Sequence, residues 1–387
     1  MNSISYEQFL SFKRTTEQAI RDAASLLLRP ERNDVILAVG SVAEGLGNSK
    51  SDLDLLMIRH RIDASDQAES KECSWIAGDC IVDMQILAAA EVSALVQRLE
   101  DWAETPWDVS SAAPFSPEEI LLLHRLCNAV PLSVHPDVQR ASGLLPELGK
   151  VARLKLHRAR HMARTVQVDM VGYKRSGDWY SLIYASQDLL GYVADGLLAS
   201  FKKTNPNPKW RSRLLHDLPA DWKRGMIYMQ LAADARQALW DVHYAPAIVD
   251  VVSAIAHASR SATLGRAIFA HAECKLVHEL DEAWEGVLLS TQQPGEPRSP
   301  FPALELDVDF VISPDGIQVA RLNEFGSALQ VPFHKFSLIL QHDGVTTPEQ
   351  VMSSAEARTP LSGKDIHLEE FLALVGGSGL LLHHEES

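Results

Sequence analysis

Small and acidic residues follow one another at a spacing that could hold a phosphorylated ligand. Gly40 and Ser41 come directly after the apolar run Val35–Val39, and Asp52 and Asp54 lead into a second apolar run. Glycine lets a backbone approach a phosphate closely, and serine adds a hydroxyl and an N–H at a predicted helix start. Two carboxylates two residues apart on a strand point to one face, where they could share divalent cations. The segment predicts two strands that flank a phosphate-binding loop beside a metal site.

A third carboxylate lies on the apolar segment that follows. Residues 80 to 87 read Cys-Ile-Val-Asp-Met-Gln-Ile-Leu, so strand alternation puts Asp83 on the face opposite Val82 and Met84. Carboxylates beside a phosphate-binding loop are the layout of metal-assisted nucleotidyl transfer. An ordinary hairpin loop is the alternative, since Gly, Asn, Ser and Asp dominate turns. It does not account for aspartates that continue into an apolar strand, where they are disfavoured.

These residues also resemble a known signature. Gly40-Ser41, then Gly45, then Ser51-Asp52-Leu53-Asp54-Leu55, with Asp83 on a later strand, resemble the polymerase-β-type nucleotidyltransferase superfamily. The resemblance is in particular to its small-substrate branch, which includes the kanamycin nucleotidyltransferases. It covers about the first third of the chain, and the combined spacing is more specific than a Gly-Ser pair or an Asp-x-Asp pair alone.

The resemblance implies a site for two magnesium ions and an NTP, with ATP as the expected nucleotide. Asp52 and Asp54 would hold both ions, and Asp83 would complete the site of the ion that activates the acceptor oxygen. By the same resemblance, the nucleotide-binding residues of this part of the chain are Gly40, Ser41 and Ser51.

Helical periodicity dominates the middle of the chain, from residue 136 to about residue 289. The predicted helices are 146–171, 178–201, 222–242 and one or two more within 248–287. No repeat of fixed period is evident, so a bundle is favoured over a solenoid. In the superfamily a helical domain forms the other wall of the acceptor cleft, and the segment from Asn205 to Trp210 resembles one found in several such domains.

Three residues of the second long helix recur every four positions and share one helical face: Tyr180, Tyr184 and Asp188. By the resemblance, Asp188 is the candidate general base that deprotonates the acceptor hydroxyl, and Tyr184 lines the cleft. A partly buried tyrosine stripe with a solvated aspartate is the alternative.

A basic stripe runs along the first long helix. Arg153, His157, Arg160 and Arg164 fall on one face, and a cationic face of this kind could hold the β- and γ-phosphates. Arg160 and Arg164 are therefore candidate nucleotide-binding residues, and a solvated helix face is the alternative.

Beyond a Pro- and Gly-rich linker at 290–302 the pattern changes. Strands are predicted at 304–312 and 316–322, joined by a turn at Pro314-Asp315-Gly316. Three helices, at 332–340, 347–355 and 366–375, and a last strand at 379–383 complete a module that resembles a winged helix. Modules of that kind bind leader peptides or DNA. Residues 301–387 hold 4 basic and 13 acidic residues, so a surface of this charge would repel DNA. A peptide-docking or dimerising role remains, and a structural lid is the alternative.

Composition and charge disfavour several classes of protein for this chain. The chain has 387 residues, of which 46% are apolar, and a formal charge of −15, which disfavours binding to a nucleic-acid backbone. Its four cysteines have no zinc or disulfide spacing. There is no apolar run of membrane-spanning length and no signal-peptide pattern at the start, so a cytoplasmic location and no membrane partner are expected.

Periodicity also predicts the elements around the signature. A single N-terminal helix is expected over 5–28, a helix over 91–102, a helix that Ser116 caps and that continues to about Asn128, and a short strand at 130–134.

The predicted architecture is α+β: a nucleotidyltransferase mixed sheet with helices (1–135), a helical acceptor-binding bundle (136–290) and a winged-helix-like domain (303–387). The predicted function is magnesium-dependent transfer of an NMP group from an NTP to a hydroxyl of a small molecule, with release of pyrophosphate. Two alternatives remain: a peptide or protein acceptor bound through the C-terminal domain, and a non-catalytic nucleotide-binding or scaffold protein. A homodimer is compatible with the sequence.

Overall fold

The computed structural model of the chain describes residues 5–60, 72–132, 144–218, 250–278, 303–322 and 328–331, except positions 32, 314 and 315. It also describes positions 239, 242, 243, 248, 336, 339, 375, 377, 378, 380 and 381. The chain divides into two compact units. The first comprises residues 1–106, 114–154 and 204–206, and the second comprises residues 107–113, 155–203 and 207–387.

The first unit contains a mixed five-stranded sheet flanked by helices, as expected for the α+β class. Its described helices are α1 (Tyr6–Phe12), α2 (Glu17–Leu28), α3 (Gly40–Ala43), α4 (Ala89–Ala103) and α5 (Pro117–Cys127). Its described strands are β1 (Val35–Val39), β2 (Leu53–Arg59), β3 (Glu72–Ala77), β4 (Cys80–Ala88) and β5 (Val130–Pro131). The strand order is β3-β4-β2-β1-β5, in which β2 and β4 are parallel and the other neighbours are antiparallel.

Strand register determines which side chains of this sheet face the core formed with α1 and α2. Leu55 and Met57 of β2 pair with Met84 and Ile86 of β4, and these side chains belong to or pack against the core that also takes in α1 and α2. Alternation turns the intervening residues to the opposite face, which confirms the predicted orientation of Asp83.

Backbone conformation and N-cap hydrogen bonds set two helix boundaries in this unit. The single helix predicted over 5–28 is wrong, because Arg14 adopts a positive φ of 51° and Thr16 begins a new helix as its N-cap. The prediction at Ser116 is confirmed: its side chain accepts from the N–H of Glu119, and the Glu119 side chain accepts from the N–H of Ser116.

The second unit is largely helical. Its helices are α6 (Leu148–Ser176), whose first residues belong to the first unit, α7 (Trp179–Ser200), α8 (Arg211–His216) and α9 (Val251–Leu276). Helices α7 and α9 pack closely, since Gly196 lies directly against the ring of Phe269. Most of the helix predicted over 222–242 lies outside the described residues. None of the helices within the described ranges has the length and apolarity needed to cross a membrane.

Three antiparallel strands follow in the same unit: β6 (Val308–Ser313), β7 (Gly316–Arg321) and β8 (Leu329–Val331). The predicted hairpin is confirmed, because Ser313 pairs with Gly316 across a two-residue connection. Of the predicted last strand, Leu381 pairs with Leu304. Nearly all of the three predicted C-terminal helices lies outside the described residues, so the winged-helix-like module stays a prediction.

Buried charges join these strands to the helices of the second unit. Arg160 of α6 donates from Nε to Oε1 of Glu273 on α9 at 2.8 Å and from Nη2 to Asp309 on β6, while Nε of Arg266 on α9 donates to the carbonyl of Val308 at 2.7 Å. We call Arg160, Arg266, Glu273 and Asp309 the charge cluster. All four are buried, and burial lowers the pKa of Arg266 to about 10. The predicted division into three domains stays a prediction. The C-terminal strands are hydrogen-bonded to the helices of the second unit through the charge cluster.

Candidate functional site

Asp54 and Asp83 lie side by side on the face of the first unit's sheet that is opposite the core formed with α1 and α2. Asp54 is directly opposite Asp83 in the parallel register of β2 and β4, and Val39 and Ser74 flank the pair on β1 and β3. Neighbouring strands are about 4.8 Å apart, so both carboxylates project to the same side at short range. Both side chains are half-buried. We call this pair the carboxylate row; like charges at opposed positions destabilise a sheet, so the row favours a bound cation.

Asp52 lies just beside this row. Strand β2 begins at Leu53, so the prediction that Asp52 and Asp54 share a strand is wrong, and Asp52 is exposed in the preceding loop. Burial raises the pKa of the Cys80 thiol, and the charges of Asp52 and Asp83 raise it further. Both carboxylates are therefore within electrostatic range of one thiol.

Gly40 forms the turn next to the carboxylate row. It follows the last residue of β1 and has a φ of +72°, a conformation that L side chains rarely adopt. A Cβ at this position would collide with Oδ2 of Asp54. Both the conformation and the close approach to Asp54 therefore favour glycine.

The loop after Gly40 is closed by its own hydrogen bonds. The carbonyl of Ser41 accepts from the N–H groups of Leu46 at 2.7 Å and Gly47 at 2.8 Å. Ser51 closes the other end, where its Oγ accepts from the N–H of Asn48 at 3.0 Å. Helix α3 is a single turn, Gly40–Ala43, so Ser41 lies in its first turn, where backbone N–H groups have no intrahelical partner.

The oxygen atoms of the row suit magnesium. Mg²⁺ is usually bound by one or two carboxylates and takes its remaining ligands from water and substrate phosphates. Ser74 adds an ordering contact, since its Oγ donates to Oδ1 of Asp83 at 2.5 Å. Within the described part of the chain, no group of three or more His, Cys, Asp or Glu could hold a metal by itself. Two of the three predicted ligands are thus adjacent, and the third lies at the edge.

Arg125 is a member of this site that sequence reasoning missed. It belongs to α5, and its Nη2 lies 3.7 Å from Oδ1 of Asp54. The two side chains are 27% and 34% exposed, so solvent and ligands can reach the pair. Arg125 lies 71 positions after Asp54 in the sequence, and a single arginine on a helix forms no motif that would link it to the site.

Glu44 is held by buried polar side chains that the sequence did not single out. Nε2 of His124 lies 3.0 Å from Oε1 of Glu44, and Nδ2 of Asn205 donates to Oε1 at 3.1 Å and to Oε2 at 3.0 Å. Thr204 Oγ1 lies 2.9 Å from Nδ1 of His124. Because Glu44 is the C-cap of α3, these contacts fix the turn that begins at Gly40. We call Glu44, His124, Thr204 and Asn205 the loop clamp.

The basic stripe predicted on α6 has neighbours of its own in the second unit. Arg160 belongs to the buried charge cluster, and Nε of Arg164 lies 3.1 Å from Oδ2 of Asp309. His157 Nε2 lies 2.6 Å from the carbonyl oxygen of Asp108. These contacts favour a structural role for Arg160 and Arg164 over the predicted contact with phosphates.

The predicted acceptor-side residues on α7 are exposed. Tyr180 and Tyr184 are 85% and 78% exposed, and Asp188 lies on the same exposed face. The tyrosine stripe is therefore not a buried core stripe. The predicted roles of Tyr184 and Asp188 stay predictions.

Two exposed isoleucines lie on the same face of the first sheet as Asp83. Ile76 of β3 pairs with Ile81 of β4, two residues from Ser74 and Asp83 respectively. A substrate group that extends past Asp83 in this direction would meet an apolar surface.

Comparison with known proteins gives no family for this chain. No protein-family model matches it, and no curated protein matches it. Its class must be inferred from the residues of the site.

Proposed function

We propose that the chain is a magnesium-dependent nucleotidyltransferase that moves an NMP group from an NTP to a hydroxyl of a small molecule and releases pyrophosphate. The observation that carries the proposal is the carboxylate row beside Gly40, whose positive φ and close approach to Asp54 both favour glycine. The resemblance of Gly40-Ser41 and Ser51-Asp52-Leu53-Asp54 to the polymerase-β-type signature supports it.

Each residue of the site has a role in this proposal. Asp54 and Asp83, with Asp52 at the edge, would hold the two magnesium ions. Ions bound there would neutralise the triphosphate and make the acceptor hydroxyl more acidic. Gly40 lets the turn approach Asp54 closely, and Ser41 and Ser51 lie in the loop that would surround a phosphate.

The proposed transfer needs no covalent intermediate with the protein. The acceptor oxygen bonds to the α-phosphorus, the bond from that phosphorus to the bridging oxygen of pyrophosphate breaks, and the acceptor proton passes to a base. Asp188 remains the candidate base. In-line alignment of the reactants in a rigid loop supplies much of the rate.

A transfer assay tests the proposal. The protein is incubated with each of the four α-³²P-labelled NTPs in magnesium or in EDTA, with hydroxylated small molecules, including aminoglycosides, and with Ser-, Thr- and Tyr-containing peptides. We expect label on a small molecule and an equal amount of pyrophosphate in magnesium, with neither in EDTA. Label on a peptide alone would favour the peptide-acceptor alternative.

Calorimetry distinguishes the non-catalytic alternative from the proposed transferase. A titration with a non-hydrolysable NTP, with and without magnesium, measures binding independently of turnover. Magnesium-dependent binding without pyrophosphate release from any of the four NTPs would identify a nucleotide-binding protein and overturn the proposed transfer. Absence of both would overturn the nucleotide site itself.

A further inference from the structure

Two consecutive residues of α5 reach two different parts of the site. His124 is buried and contacts Glu44 in the loop clamp, whereas Arg125 extends to Asp54 of the carboxylate row. The buried contacts of His124 hold this turn of α5 against the loop, so Arg125 projects from a fixed position. The helix itself is anchored by the capping box at Ser116.

The contact between Arg125 and Asp54 does not resemble a structural ion pair. The 3.7 Å between Nη2 and Oδ1 exceeds hydrogen-bond length, and both side chains are partly exposed. A partly exposed pair of this kind contributes little to stability, so another cation could replace the guanidinium on Asp54 at small cost. The pair of Arg160 and Glu273, by contrast, has a 2.8 Å hydrogen bond and is buried.

A triphosphate at this site would need a cation besides magnesium. Asp52, Glu44 and the carboxylate row make the surroundings acidic, and a triphosphate carries several negative charges of its own. The predicted phosphate ligands Arg160 and Arg164 contact carboxylates in the second unit. Arg125 is an arginine at the carboxylate row, and guanidinium groups bind phosphate oxygens in bidentate geometry.

We propose that Arg125 is a triphosphate-binding residue that leaves Asp54 and moves to a phosphate oxygen when magnesium and the nucleotide bind. This inference depends on the proposed function. Its geometric basis is the position of Arg125 beside Asp54, on a helix that the loop clamp fixes to the turn at Gly40.

The inference predicts opposite effects on two ligands. Arg125→Ala removes a cation that competes for Asp54, so Mn²⁺ alone should bind about two- to fivefold more tightly, as measured by electron paramagnetic resonance. The same variant should bind α,β-methylene ATP in magnesium about 10- to 100-fold more weakly by calorimetry, because a charge-assisted contact is lost. AMP lacks the outer phosphates, so its affinity should change little. Arg125→Lys should be intermediate.

Arg98→Ala is the matched control. Arg98 is a partly exposed arginine of α4 that pairs with Glu119 of α5 at 2.8 Å, and its loss should leave the affinities for Mn²⁺ and nucleotide unchanged. Thermal unfolding of each variant confirms folding. If wild type binds the nucleotide and Arg125→Ala binds it equally well, or binds Mn²⁺ more weakly, the role of Arg125 is overturned and the proposed function stands. If wild type binds no nucleotide in magnesium, both are overturned.

Discussion

Acidic residues gather in both units, but their surroundings differ. In the first unit Asp54 and Asp83 are half-buried neighbours of like charge, and the guanidinium of Arg125 lies 3.7 Å from one of them. In the second unit Glu273 and Asp309 are buried, and both contact Arg160. One group presents half-buried acidic side chains where ligands can reach them, and the other pairs its charges away from water.

This difference separates a functional arrangement from a structural one. Burying a charge is costly unless an opposite charge and hydrogen bonds accompany it, and the charge cluster meets that condition. Opposed like charges on a sheet reduce stability, and the partly exposed contact with Arg125 offsets this only in part. Arrangements that reduce stability are typical of sites retained for function. We therefore interpret the carboxylate row as the site of function and the charge cluster as part of the core.

Asp54→Asn should have the largest effect on activity. It keeps the size of the side chain but removes a magnesium ligand, so we expect transfer to fall by about 10³-fold or more, roughly 4 kcal/mol of barrier. Stability in urea should stay within about 0.5 kcal/mol of wild type or increase, because one of two neighbouring like charges is removed. Asp79→Asn, in the exposed turn between β3 and β4, is the control. Undiminished transfer from labelled NTP in Asp54→Asn would remove the basis for the metal site.

Asp309→Asn should show the reverse pattern. It leaves the buried guanidinium of Arg160 without one of its carboxylates, so the free energy of unfolding should fall by about 3 to 5 kcal/mol. Asp307→Asn is the matched control: Asp307 pairs with Arg321 near the surface, and its loss should cost about 1 kcal/mol. Urea unfolding followed by circular dichroism measures both. Equal losses of unfolding free energy in the two variants would show that the buried charge cluster contributes no more to stability than the pair of Asp307 and Arg321.

The charge cluster also affects how the C-terminal strands can be tested. Deletion of residues 303–387 would remove Asp309 and Val308 and leave Arg160 and Arg266 with fewer partners. Loss of activity in such a deletion would not distinguish a peptide-docking role from misfolding of the helices. Point substitutions on the exposed side of β6, such as Val311→Lys, test docking without disturbing the cluster.

Acidification should destabilise the second unit through a buried histidine. Burial, and then the charge of Lys275, lower the pKa of His271 to about 4 from its usual 6.5. Between these values the unfolded chain binds a proton that the folded chain does not, so stability falls as pH drops from 6.5 to 4 and levels off below that. The loss attributable to His271 is about 3 kcal/mol. His271→Gln should reduce the slope of unfolding free energy against pH between pH 4 and pH 6.5. An identical slope in the variant would contradict the assignment.

Much of the first unit could be predicted from local sequence. Strand alternation placed Asp83 on the face opposite Val82 and Met84, and the capping box at Ser116 and the hairpin that pairs Ser313 with Gly316 follow from short-range chemistry. The break in the N-terminal helix at Arg14 could not be predicted in this way, because apolar spacing continues across it.

Contacts between distant residues account for what the sequence missed. Helical spacing put Arg160 and Arg164 on one face of α6 but carried no information about Asp309, about 150 positions later, which pairs with both. The same holds for Glu44 and Asn205, which are 161 positions apart. Residue type and spacing thus identified the carboxylates, and only the fold identified their basic and polar neighbours.

A further prediction concerns the glycine beside the row, and the chain supplies a close control. Gly40 and Gly45 have nearly the same positive φ, 72° and 71°, but a Cβ at Gly40 would collide with Asp54, whereas a Cβ at Gly45 would meet nothing within 4 Å. Alanine at either position should therefore cost about 1 kcal/mol of stability through the backbone. Only Gly40→Ala should also displace Asp54, and we expect its transfer rate to fall about 100-fold. Rates measured below the unfolding temperature separate the two effects. Equal rates in the two variants would show that the approach of Gly40 to Asp54 does not matter for transfer, and the site would then depend on the carboxylates alone.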